Sequence, residues 1–149
     1  MKVILQNIQN KLTSEVTDLK YVDEDCGQLN MYQPPVKWPC CLIDVSAINY
    51  THLGIHRTKI PQTRQTGKIA VKLTLANLKL TNSSGMAPQS QKDQAWFIWD
   101  LADKIHEKLH GFCPGENCTK MMRSNLQRSV RDDGVQEYFI TYNFEASNV

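Results

Sequence analysis

No run of about eighteen apolar residues, the length a membrane-crossing helix requires, occurs in this 149-residue chain. The opening MKVILQNIQNKLTSEV interrupts its apolar residues with Gln and Asn before a signal-type stretch can build. The expectation is a protein that is cytosolic where it is made, with no membrane partner. A charge excess is missing too. Seventeen Lys and Arg against fifteen Asp and Glu leave a net charge of +2, so any electrostatic function has to be local. Internal repeats and low-complexity tracts are also absent. The five cysteines are an odd number without a secretory leader, which reads as free thiols rather than a disulfide framework. Adjacent Cys40 and Cys41 are expected on opposite faces of one strand.

What remains is an ordinary globular composition, 41% hydrophobic and 21% charged, in a length that suits one domain spanning 1–149. Ile4, Ile8, Leu12 and Val16 recur every fourth residue, predicting an amphipathic helix over about residues 2–18. A short strand over 19–22 and then a long loop follow, because Gly27 and the Pro34-Pro35 pair interrupt regular hydrogen bonding. CCLIDVSAI reads as a strand. KIAVKLTLANLKL reads as a half-buried one, with Ile69, Val71, Leu73 and Leu75 alternating with Ala70, Lys72, Thr74 and Ala76.

Ser90, with Asp93 three residues on, predicts a helix start, and Trp96, Phe97, Trp99, Leu101, Ala102, Ile105 and Leu109 give that helix a wide apolar face. Gly111 is placed to close it in the left-handed conformation. Asp132-Asp133-Gly134 predicts a hairpin between strands at 126–130 and 135–144. The fold class is therefore α+β: an antiparallel sheet of about four strands with two helices packed on one face.

Residues 51–68 form a connection far longer than the usual 4–6 residues, and it carries Arg57, Lys59, Arg64 and Lys68 with no acid. Its ends can extend the flanking strands into a protruding hairpin with Pro61 at the tip. Such an arm suits a neighbouring subunit that presents acids, for instance Asp23, Glu24 and Asp25, while a solvated surface loop accounts for the same residues equally well. Those three acids are consecutive and so fan apart, which reads as a solvated loop rather than an acid and base pair.

Other constellations are weaker. RQTGK lacks the paired glycines of a phosphate loop, and a strand rather than a helix follows Lys68. Ser83-Ser84-Gly85 lacks a nucleophile elbow. His106 and His110, one helical turn apart and followed by Cys113 and Cys118, offer nitrogen and sulfur ligands at a spacing that zinc can use. Histidines near a helix C-terminus and free thiols explain the same residues without metal. Trp96 and Trp99 are either packing residues or a stacking platform for nucleic acid used together with the basic arm. Residues 96 and 97 cannot both point inward.

From ILQNIQNKL, through GQLNMY, PCCLIDV, GKIAVKLTL and WFIWDLADKIHEKL, to VQEYFITYNFE, the chain resembles the tail terminator and tail completion (head-tail joining) proteins of long-tailed bacteriophages. The phrase GQL, then Pro, then CCLIDV is similar to members encoded in phages and prophages of the Bacteroides type. The loop bearing Cys113 and Cys118 departs from the family pattern. The resemblance implies a long projecting central hairpin and no catalysis or cofactor. It also implies a ring, commonly hexameric, that caps the tail tube, ends its polymerisation and docks a head-completion or neck protein. DNA would pass through the bore without specific binding. The expected location is the virion, at the tail or neck, after assembly in the host cytoplasm.

Overall fold

The computed structural model describes residues 1–149. Helix α1 (Lys2–Glu15) precedes strand β1 (Tyr21–Glu24), a single 3-10 turn (Gln28–Asn30), and the long strands β2 (Cys40–Ile55) and β3 (Thr63–Leu78). Helices α2 (Gln89–Ala95) and α3 (Phe97–Leu109) lead to β4 (Met122–Ser129) and β5 (Val135–Ala146). One five-stranded sheet runs in the order β1-β2-β3-β5-β4. No helix is long and apolar enough to cross a membrane.

The alternation in β3 organises the core. Ile69, Val71, Leu73 and Leu75 project to one face, joined by Cys41 and Ile43 of β2 and by Tyr138, Ile140, Tyr142 and Phe144 of β5. Against that face lie Ile8 and Leu12 of α1 and Ile98, Leu101, Ile105 and Leu109 of α3. Each fully buried side chain of this kind is worth about 1.5–3 kcal/mol, and together they hold both helices on one side. Cys40 faces away into a smaller cluster with Leu29, Leu42, Ala76 and Val135, as the opposed faces of a strand require.

The architecture is α+β, with four departures from expectation. First, the sheet has five strands and is mixed, because β1 pairs parallel with β2 from Tyr21↔Cys40 to Glu24↔Ile43. A parallel neighbour needs a crossover, and residues 25–39 supply it by packing Leu29, Val36 and Trp38 over the back of the sheet. Asp23 and Glu24 therefore lie on a strand, not in a loop. Second, the helical segment after residue 88 is two helices, broken at Trp96. Third, Pro88 rather than Ser90 precedes the first of them, and Ser90 lies inside it. Helix α1 also ends at Glu15 instead of reaching residue 18. The two glycine expectations hold: Gly111 and Gly134 take φ of 82° and 76°.

A clasp that no local pattern signals closes the far end of the sheet. Arg131 donates to Asp133 Oδ2 at 2.7 Å, to buried Glu137 Oε2 at 3.0 Å and to the Leu29 carbonyl at 2.7 Å. It ties the β4–β5 hairpin to the crossover. The hydrogen bond from Arg131 holds the Asp133 carboxyl below its ordinary value, a contribution present above the unfolded pKa and lost as pH falls through the folded one. Arg131→Ala should cost about 3 kcal/mol by urea denaturation at pH 7, since it strands Glu137. The gap from wild type should narrow below about pH 4.

Candidate functional site

β2 and β3 pair continuously from Cys40↔Ala76 to Ile55↔Thr63, so the sheet runs without interruption into a hairpin arm closed by residues 56–62. The long basic connection is thus mostly strand. Only the base of the arm has neighbours. β5 reaches Gly67 through Ala146, and Gln65 exchanges backbone hydrogen bonds with Val149. On the other side β1 stops at Ile43, which leaves β2 from residue 44 to 55 as an unpaired edge. Bulges fall between Val45 and Ala47 and between His52 and Gly54, and each adds bend and twist to the strand. Gly67 packs closely on its cross-strand partner: a Cβ there would sit 3.1 Å from the Tyr50 ring, which would have to shift by a few tenths of an ångström to admit it.

The arm does not bury its own apolar side chains. Tyr50, Leu53, Ile55 and Ile60 are all more than half exposed, with Ile60 at 95%. The tip is internally ordered, with the His56 N–H donating to the Gln62 carbonyl at 2.7 Å and the Thr58 hydroxyl 3.1 Å from His56 Nδ1.

The four arm cations divide. Arg57 and Lys59 sit in the tip loop, exposed, with no side-chain partner in the chain. Arg64 instead turns back on its own chain, donating to Asn148 Oδ1 at 2.8 Å, to the Asn148 carbonyl and to the Pro61 carbonyl at 3.2 Å. Lys68 stands 3.7 Å from Glu145, an exposed pair of little energetic weight. The acids Asp23, Glu24 and Asp25 lie at the opposite end of β2. With about 3.3 Å of rise per residue, they are about 40 Å from the tip of their own arm. They form no salt bridge within the chain.

The zinc spacing does not converge. No three His, Cys, Asp or Glu side chains group closely enough to hold a metal ion. The His106 and His110 ring centres lie 4.6 Å apart with the planes tilted by 45°, His110 Nδ1 accepts the Arg123 N–H, and Cys113 Sγ lies 3.1 Å from the carbonyls of Gly115 and Cys118. Burial, then Arg123 and His110, lower the His106 pKa. Trp96 and Trp99 do not fill the core: each is nearly half exposed, Trp99 packs edge-on against Tyr138 at 4.8 Å, and Phe97 takes the more inward place.

Sequence reasoning singled out no residue of β4. It is the other edge of the sheet, and it carries Arg123 and Arg128, neither in a salt bridge. The run from Thr119 to Arg131 contains no acid, which was the available signal.

No family model matches the chain, and no curated protein matches it. Among solved structures, a chain from the virion of a native gene transfer agent particle is similar over 97% of this chain and 92% of that one. The TM-score is 0.44 and the sequence identity 6%.

All five cysteines are free. Burial pushes Cys40 up to about 12 and raises Cys41 further. At pH 8, Cys26 and Cys113 should react with an aromatic disulfide reagent within minutes, Cys40 and Cys41 only in denaturant, because the thiolate is the nucleophile. Arg64→Ala should release the C-terminal residues, seen as at least tenfold faster amide exchange at Val149 with little change in global stability.

Proposed function

We propose that this chain is a structural virion protein that assembles into a ring, commonly hexameric in the family it resembles. The ring caps the tail tube, ends its polymerisation and joins the tail to a head-completion or neck protein. The observation that carries the reading is the arm: an unpaired strand edge from residue 44 to 55 with exposed Tyr50, Leu53, Ile55 and Ile60 and unpartnered Arg57 and Lys59. A single copy cannot satisfy that surface, whereas neighbouring copies or a tube can. The order of elements supports the same reading, which assigns the protein no catalysis.

In this role Arg57 and Lys59 are the contacts offered to neighbour and tube, Arg64 fixes the base of the arm, and Lys68 lies along its root. Asp23, Glu24 and Asp25 belong to the contact between copies. A ring through which DNA passes must not grip it, since every neutralised phosphate adds affinity by counterion release. A net charge of +2 suits that requirement.

Light scattering should give a multimer that binds the ends of purified tail tubes and stops their growth. Arg57→Glu with Lys59→Glu should weaken tube binding at least tenfold while leaving the melting temperature within about 2 °C. A strict monomer that leaves tubes growing would overturn the reading. Steeply salt-dependent DNA affinity, lost in the same double variant, would instead favour a nucleic-acid accessory role for the arm.

A further inference from the structure

The break between α2 and α3 leaves two large aromatic faces uncovered. Trp96 is the residue at the break, Trp99 follows in the first turn of α3, and the two indoles, 48% and 45% exposed, wall a cleft of about 450 Å³ together with Asp93 and Asp100. Neither carboxylate is in a salt bridge. Asp93 accepts from Gln89 Nε2 at 2.8 Å, and Lys104, one turn beyond Asp100, bonds Asp18 instead.

Indole faces beside carboxylates make a seat for a cation, which the ring quadrupole attracts and the carboxylate pairs. A phosphate is repelled there. On the other side of the same indoles a cleft of about 420 Å³ is lined by Lys79 and Arg128, so a cationic partner is steered to the acid side. The chain carries such a partner itself. Its arm tip holds Arg57 and Lys59 without a side-chain partner, Ile60 at 95% exposure, and no acid anywhere from residue 51 to 68.

We infer that the arm tip of one copy docks in the tryptophan-walled cleft of the next, with Arg57 and Lys59 against Asp93, Asp100 and the indole faces, and Ile60 against exposed indole carbon. This deepens the ring reading and rests on it.

The tip does not reach the cleft of its own chain. Trp99 packs on Tyr138, which is level with Leu75, Cys41 and Val22 across the sheet. From Cys41 the paired strands run straight on to Ile55, about 45 Å at about 3.3 Å per residue. The contact therefore joins two copies head to tail. Tip and cleft are different patches, and repeating such a contact by rotation closes a ring.

The acids of β1 lie at the same end as the cleft, since Asp23 follows Val22. One end of the molecule is thus acidic and the tip basic, which orients the approach of copies. Those acids draw the tip without seating it: Asp23 accepts from Tyr21 and the Glu24 N–H, Asp25 accepts from the Gly27 N–H, and the cleft at Glu24 also holds Lys2. The contact uses the tip alone. The strand edge from residue 44 to 55 is left for the tube.

Charge reversal on both sides of the contact, in the full-length protein, tests the docking. By native mass spectrometry and light scattering, Arg57→Glu with Lys59→Glu, or Asp93→Lys with Asp100→Lys, should each weaken self-assembly about tenfold or more, and the variant with all four changes should recover most of that loss. Circular dichroism melts within about 2 °C of wild type would show that the variants fold. Asp93→Asn with Asp100→Asn is the milder pair should lysine disturb the first turn of α3, and it should weaken assembly about threefold. If wild type assembles while the reversals leave its size unaltered, or the combined variant fails to recover, the docking is wrong and the ring reading stands. Quenching of the exposed tryptophans by single-stranded DNA, with assembly indifferent to the reversals, would assign the rings to nucleic acid and overturn the docking as well. If wild type is monomeric at every concentration and beside tail tubes, both readings fall.

Discussion

Burial of one face of β3 is the constraint on which the molecule depends. Ile69, Val71, Leu73 and Leu75 reach across to both neighbouring strands and up to both long helices, so a one-residue slip of this strand would turn the entire apolar set away from the helices. Its register fixes β2 on one side and β5 on the other. Through them it sets the level of β1 and β4, the two edges. The acids of β1 and the arginines of β4 take their places along the strands from the same central strand.

The same strand also makes the arm. At Lys68 the buried alternation ends, and from Thr63 to Thr66 no side chain is fully buried, yet pairing with β2 continues to Ile55. An arm continuous with the central strands of a packed sheet is a lever rather than a floppy loop. Its base is pinned where Arg64 grips Asn148 and Gln65 pairs with Val149. The segment offered to a partner is thereby pre-ordered, which lowers the entropy lost on binding.

Much of the architecture was legible in local patterns, because amphipathic spacing and turn chemistry act over a few residues. The alternation at 69–75, the four-residue recurrence of Ile4, Ile8 and Leu12, and the glycines at 111 and 134 each declare their conformation within one turn or strand pair. The possibility of an arm was legible too, from the length of the basic connection and the shortage of apolar residues to pack it. The parallel placement of β1 was not, since YVDE is too short to carry a period and its partner lies beyond a proline-rich crossover. Nor was the break at Trp96, where apolar residues continue across it, or the Arg131 clasp, whose partners Leu29 and Asn30 are about a hundred positions away in the chain.

The four basic residues of the connection look equivalent in sequence, but folding separates them. Arg64 is spent on the chain's own C-terminus, Lys68 lies beside Glu145, and Arg57 and Lys59 remain free. By itself the sequence determined which segments are helix or strand, where the core face lies, and that charge had to act locally. Only the tertiary structure decided which charges are uncommitted and that acids and arginines occupy opposite edges of one sheet, because pairing between distant strands sets those positions and local periodicity carries no record of it.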